Sequence, residues 1–260
     1  MEERFVETAR GAKVRVLEAG QGAPVVFLHG PTGLLAENPF LDLLAEGSHV
    51  FAPELPGYGE STGETLLEDM LDFTLHGLDV LDALGLDRPH LVGHSMGGMI
   101  AAEMACVSPH AVGKLVLAAP LGLWLDAHPV PDLFALLPHQ VAQLLFHDPG
   151  AGARLLTGGL DFRNLDALKE FYIGNVRRLG MAGKILFPIP NRRLSKRLYR
   201  LRAETLLVWG RSDRFVSEPY AGRWQELIPT ARLEHVAAAG HMLPYEQPEA
   251  FAAAIARFVG

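Results

Sequence analysis

Eight residues near the middle of the chain, Leu91-Val92-Gly93-His94-Ser95-Met96-Gly97-Gly98, place Gly-x-Ser-x-Gly between a strand-like apolar run and a helix-like run. That spacing has a steric cause. A serine on a tight strand-to-helix turn takes a strained backbone, and side chains two positions away on either side would strike the neighbouring chain. Glycine at 93 and 97 removes both collisions and lifts the Ser95 hydroxyl clear of the sheet. The helix N-terminus beneath it favours negative charge as it develops. The turn is therefore expected to display a nucleophile at the edge of a sheet. His94 is read as a packed, hydrogen-bonded neighbour, and Cys106, on the following helix, as a buried thiol.

The rest of the chain fits such a sheet. Its 260 residues suffice for one large α/β domain, with 49% apolar and 20% charged residues as in ordinary globular proteins. Short apolar runs alternate with helical patterns, the signature of a mostly parallel, doubly wound sheet covered by helices. Phe5–Thr8 and Lys13–Glu18 form an opening hairpin. Pro24–Leu28, Val50–Pro53, His90–Gly93, Lys114–Ala118, Thr205–Trp209 and Arg232–Val236 read as further strands, and Glu64–Leu84, Met96–Val107, Pro219–Leu227 and Pro248–Val259 as helices. Residues 121–201 break the alternation with several prolines and no strand pattern. They are expected to form a helical insertion over one sheet edge, leaving 1–120 and 202–260 as the core.

Hydroxyl nucleophiles need a base within hydrogen-bond reach. Gly240-His241 follows the last strand and precedes the final helix, so its loop returns to the carboxyl edge of the sheet, where Ser95 also sits. Asp213 stands just beyond the strand ending at Trp209 and is the expected partner of that histidine. After the preceding strand no acid occurs before Asp126, the weaker alternative.

His29-Gly30 after a strand, Glu54-Leu55-Pro56-Gly57-Tyr58-Gly59-Glu60-Ser61, Gly93–Gly98, Trp209-Gly210-Arg211-Ser212-Asp213 and Gly240-His241 occur in order, and with them the sequence resembles the α/β-hydrolase fold enzymes from first strand to final helix. The resemblance implies a Ser95, Asp213, His241 triad in that chain order, acyl transfer through a serine ester, and no metal or organic cofactor. It makes the 121–201 insertion the family's variable cap. It also places a second oxyanion donor just after His-Gly, where Pro31 has no N–H. Thr32 or Gly33 takes over, or the loop is displaced; Thr32 is the expected donor, acting with Met96.

A carboxylesterase for small or medium acyl esters is the first reading. Carbon–carbon bond hydrolases of vinylogous diketones come second, because they often carry glycines after His-Gly and an aromatic after the catalytic histidine, where this chain has Pro31-Thr32-Gly33 and Met242. A ligand receptor with little turnover is the non-enzymatic alternative. Pro31, Trp124 and Met242 are the expected substrate contacts. Trp124, Phe134, Phe146, Phe162, Phe171, Tyr172 and Phe187 supply cap aromatics, some for an acyl pocket and most for the cap's own core. The run from Arg192 to Arg200, with Leu194, Leu198 and Leu201, reads as a helix with one buried face and a solvated basic face. The net charge of −7 repels nucleic acid. The absence of a signal-like start or a span-length apolar run makes a cytoplasmic protein with a small-molecule ester substrate and no membrane partner the default. Oligomeric state stays open.

Overall fold

In the computed structural model, which describes residues 1–161, 163–188 and 191–260, and the side chains of all of these but 138 and 139, the chain builds one eight-stranded sheet in the order β1-β2-β4-β3-β5-β6-β7-β8. The strands are β1 (Glu2–Glu7), β2 (Lys13–Ala19), β3 (Pro24–Leu28), β4 (His49–Pro53), β5 (His90–His94), β6 (Leu115–Ala118), β7 (Thr205–Gly210) and β8 (Arg232–Val236). β1, β2 and β4 pair antiparallel, and every later pairing is parallel. The α/β-hydrolase fold expected from the sequence is the fold observed.

The interior strands explain themselves. β6 and β7 are buried at every position, and β6 throughout and β7 after Thr205 read as the apolar runs expected when helices cover both faces. Six helices of the core flank them: α1 (Pro39–Ala45), α2 (Met70–Leu84), α3 (Met96–Val107) and, near the C-terminus, the three that follow β7 and β8. One long helix was expected over Glu64–Leu84. Instead a 3-10 turn at Glu64–Leu66 precedes α2. Asp69 starts α2 as its N-cap, its carboxylate accepting the Leu71 and Asp72 amides at 2.8 and 3.1 Å, a preferred N-cap arrangement.

The insertion contains α4 (Pro138–Leu145), α5 (Pro149–Thr157) and α6 (Leu165–Leu186), with no strand among its described residues. The longest of them, α6, spans 22 residues. The basic run is not one helix, although Arg193, Lys196 and Arg200 are exposed. It forms two 3-10 turns, Leu194–Lys196 and Leu198–Arg200, whose Leu194 and Leu198 are buried. Arg197 reaches back to the buried Glu103 of α3, with its Nε 2.7 Å from Oε2, and Arg200 Nε donates to the Cys106 carbonyl at 2.7 Å. Lys184 of α6 donates to the Glu64 and Leu67 carbonyls at 2.7 Å. These contacts strap the insertion to the core.

After β7 come α7 (Pro219–Leu227), then β8, α8 (Leu243–Glu246) and α9 (Pro248–Val259). Phe40 of α1 packs edge-on against Tyr245 and Phe251 at 5.3 and 5.7 Å, closing that side of the core. Among the described residues no helix is long and apolar enough to cross a membrane.

Candidate active site

Strand order reverses around β3: the chain passes from β3 to β4 on one side and then to β5 on the other. The crevice at such a switch point, outside the strand carboxyl ends, is where open α/β sheets bind ligands. The β3 and β5 ends register as Leu28 against Gly93, so the loop at 29–33 and the turn at Ser95 face one another across it.

Ser95 takes φ 56° and ψ −115° and caps the N-terminus of α3. Its N–H donates to the Ala118 carbonyl at 2.9 Å and its own carbonyl accepts the Leu121 amide at 3.1 Å, so the chain leaving β6 holds the turn through both of its backbone groups. A Cβ at position 97 would run into the Leu28 carbonyl oxygen, and one at 93 into the Gly97 carbonyl. Both glycines are required by space rather than by a positive φ.

His241 lies between β8 and α8. Its Nε2 is 2.8 Å from Ser95 Oγ and its Nδ1 is 2.9 Å from Asp213 Oδ2. The second Asp213 oxygen accepts the Phe215 and Val216 amides, each at 2.9 Å. A carboxylate is acceptor-only, so Nδ1 carries the imidazole proton and Nε2 presents its lone pair to the serine hydroxyl. The side chains of His241 and Asp213 are 2% and 1% exposed, and Ser95 is fully buried. The Phe215 ring meets the His241 ring edge-on at 4.8 Å. Asp126, by contrast, is exposed and accepts the Trp124 indole N–H at 2.9 Å.

His94 is buried, and its Nε2–H donates to the His241 carbonyl at 2.8 Å. Burial, with the neighbouring His241 adding to it, pushes its pKa down to about 3, which keeps the ring neutral. Cys106 is buried as well, and burial raises its thiol to about 12. His29 anchors the opposite loop: Nδ1–H donates to the Gly30 carbonyl at 2.8 Å while Nε2 accepts the Leu55 amide at 3.1 Å.

Gly30-Pro31-Thr32-Gly33 forms a turn closed by the Gly33 amide on the Gly30 carbonyl at 3.0 Å, with Gly33 at φ 77°. Proline at the second position and glycine at the fourth suit such a turn. The turn consumes the Gly33 amide, removing Gly33 as an alternative donor. Thr32 is left as the first residue after Pro31 whose N–H plays no part in closing the turn.

The expected substrate contacts separate. Pro31 is buried in the loop facing Ser95, its carbonyl accepting the Tyr58 hydroxyl at 3.3 Å. Met242 is buried and its N–H donates to the Leu145 carbonyl of the insertion at 3.1 Å. Trp124 does not join them: its indole is bonded to Asp126, and it lines an open cleft with Leu125, Pro219, Gly222 and Arg223 that excludes Ser95. Phe134 packs on Phe187 at 6.0 Å and Phe171 on Tyr172 at 5.9 Å, pairings internal to the insertion; Phe146 is buried. Phe162 lies outside the described residues.

Sequence reading missed Arg178 of α6. Its side-chain stem lies 3.5 Å from where a Gly33 Cβ would stand, and its carbonyl accepts the Tyr58 hydroxyl at 3.1 Å. The guanidinium is half-buried, and its enclosed Nε has no hydrogen-bond partner among the described residues. Burial lowers its pKa, while Tyr58 and Glu54 nearby act to raise it. The nearby acid, Glu54, is already paired with Arg15 at 2.8 Å. An arginine in a helix-period pattern looks like surface charge; only the fold reveals it beside this loop.

Residues 25–254 match the alpha/beta hydrolase family. The chain belongs to that family. This alpha/beta hydrolase is 30% identical to the 2-hydroxy-6-oxo-6-phenylhexa-2,4-dienoate hydrolase of Burkholderia cepacia, over 92% of its own length and 88% of the relative's. It is 31% identical to the dihydrolipoyllysine-residue acetyltransferase component of the acetoin cleaving system of Cupriavidus necator, over 96% of its length and 67% of the relative's. Among solved structures, the meta-cleavage product hydrolase of Pseudomonas fluorescens superposes with a TM-score of 0.80 at 23% identity, covering 98% of this alpha/beta hydrolase and 97% of that chain.

Proposed function

We propose that this hydrolase uses Ser95 as nucleophile, His241 as general base and Asp213 to orient it, and that it cleaves a carbon–carbon bond beside a ketone in a carboxylate-bearing substrate. The observation that carries the hydrolytic part is the unbroken line of hydrogen bonds from Asp213 through His241 to Ser95, closed away from solvent. The carbon–carbon specificity is supported by those relatives named for hydrolysis of 2-hydroxy-6-oxo dienoates and the related nonadienedioate and nonatrienedioate, and this reading replaces the carboxylesterase as the first choice. Arg178 supports a carboxylate in the substrate: an enclosed guanidinium edge lacking a partner is costly until an anion occupies it.

In this reading Ser95 Oγ adds to the ketone carbon as His241 takes its proton. The oxyanion accepts the Met96 N–H and the Thr32 N–H. Collapse breaks the carbon–carbon bond, leaving an acyl-serine and a carbon fragment that receives the proton held by His241. Water, deprotonated by His241, then releases the acyl group as a carboxylic acid.

Ester hydrolysis remains the second reading, because the same three residues cleave esters and because Met242 and Pro31 stand where an aromatic and a glycine were expected for diketone cleavage. Parallel assays separate the two. A 2-hydroxy-6-oxo-dienoate and p-nitrophenyl butyrate are offered to the wild type, with Ser95→Ala as control. The dienoate is expected to give the larger kcat/KM. Arg178→Ala is expected to raise its KM by about 10–100-fold, the worth of a charge-assisted hydrogen bond, without touching the neutral ester. Preference for the ester together with indifference to Arg178 would reverse the assignment.

A further inference from the structure

We infer that Glu246 is a positioning residue that couples the cap to His241. The inference rests on His241 serving as the base. Glu246 closes the short helix α8, and its carboxylate joins two segments distant in sequence. One oxygen accepts the Gly240 amide at 2.7 Å and the other the His147 amide at 2.6 Å. Gly240 immediately precedes His241, and His147 lies in the link between α4 and α5 of the cap. On the far side of His241, the Met242 amide donates to the Leu145 carbonyl at 3.1 Å. The base is thus held to the same few cap residues by the backbone before it and the backbone after it. There is no slack: a Cβ at position 240 would lie 2.8 Å from both the His147 nitrogen and the Leu145 oxygen.

The same cap link also grips the acid loop. Arg214 Nη1 donates to the Gln143 and Phe146 carbonyls at 2.7 and 3.3 Å, and His147 Nδ1 lies 2.8 Å from Ser212 Oγ. The residues on either side of Asp213 are therefore tied to the segment that Glu246 ties to His241. Glu246 itself touches neither Ser95 nor Asp213 through any hydrogen bond described, so the chemistry does not use it. Its burial is unfavourable to a carboxylate and raises its pKa, yet two amide bonds hold it there. The stretch between β8 and α8 has no regular backbone of its own to fix an imidazole, and displacement of a catalytic group by about 1 Å costs on the order of 10²-fold in rate. A seated cap supplies the definition that the stretch lacks.

Glu246→Gln tests this, since it keeps size and shape but turns an NH2 toward one of the two amides. Hydrogen exchange at His147 and Gly240 is expected to rise at both positions together, by about 10-fold or more. Phosphonylation of Ser95 by a fluorophosphonate is expected to slow by about 10–100-fold in its first-order step with little change in the concentration for half-saturation. The low-field proton resonance of the His241–Asp213 hydrogen bond is expected to broaden. Gly240→Ala, which forces the cap away while leaving Glu246 intact, should reproduce all three effects. A folded Glu246→Gln protein with unchanged phosphonylation and a sharp resonance would overturn the coupling, as would loosening of one amide without the other. Wild-type protein inert to the fluorophosphonate would instead sink the role of Ser95, while the paired exchange would still decide whether Glu246 couples cap and loop.

Discussion

Ser95 holds a conformation that costs a non-glycine residue about 1–3 kcal/mol, with φ at 56°. Ser95→Gly and Ser95→Ala both remove the hydroxyl, and both are expected to abolish turnover with the fold intact. They differ in strain: the glycine variant should be more stable than the alanine variant by about 1 kcal/mol, a difference readable in urea midpoints. Equal midpoints would mean that the surrounding hydrogen bonds, not the backbone, absorb the cost. Asp213→Asn is expected to lower kcat by on the order of 10⁴, because an amide NH2 facing Nδ1 favours the wrong tautomer. Near-normal rates would remove Asp213 from the mechanism. Pro31→Gly restores an N–H after Gly30 but loosens a turn whose Gly33 amide is already engaged. If Thr32 supplies the donor, kcat should stay level or fall slightly; a clear rise would show the wild-type hole to be short of one donor.

Helices and turns show where local pattern gives way to context. β6 and the centres of β5 and β7 were legible because a strand buried on both faces is apolar there, whatever its neighbours. The break between the turn at Glu64–Leu66 and α2 was missed, since the periodicity of Glu64–Leu84 continues across it and the competing signal is a single capping carboxylate, Asp69. The basic run at 192–200 forms 3-10 turns instead of one helix for a related reason. Leu194 and Leu198 do lie buried at helical spacing, but Arg197 is drawn inward by Glu103 of α3, a partner 94 positions away. Arg197→Met strands a buried carboxylate and is expected to cost about 2–3 kcal/mol, seen as a lower urea midpoint at unchanged m-value. Replacing Glu103 by Leu in the same protein should restore most of that loss. If the single variant is as stable as wild type, the pair holds nothing together.

Across the whole molecule, buried histidines make stability depend on pH. Burial lowers the pKa of His94 to about 3 and of His76 to about 4, and lowers that of His29 as well. Unfolded, each would titrate near ~6.5. Between the two values the unfolded chain binds more protons than the folded one, so stability is full above pH ~6.5 and falls as pH drops through the window below it. With three such groups the slope reaches up to about 4 kcal/mol per pH unit. Thermal unfolding between pH 7 and 5 checks this: the midpoint should fall steadily, and His76→Gln should flatten the fall by about one proton's worth. A midpoint flat over that range would show that these rings are not held neutral.

The sequence by itself determined the sheet, the elbow and the chain positions of Ser95, Asp213 and His241 that the fold brings together, because each is written in local terms: apolar runs for buried strands, glycines where a Cβ has no room, and polar residues just past strand ends. It also located the loop after His29-Gly30 and its missing donor. Only the tertiary structure decided what the insertion does. It set Arg178 beside the Gly33 turn, moved Trp124 to an outer cleft beside α7, and joined Glu246 to His147. Those outcomes depend on contacts between segments about a hundred or more positions apart in several cases, whose energies arise from which amides, carbonyls and charges the folded sheet brings within reach. No window of neighbouring residues contains that information.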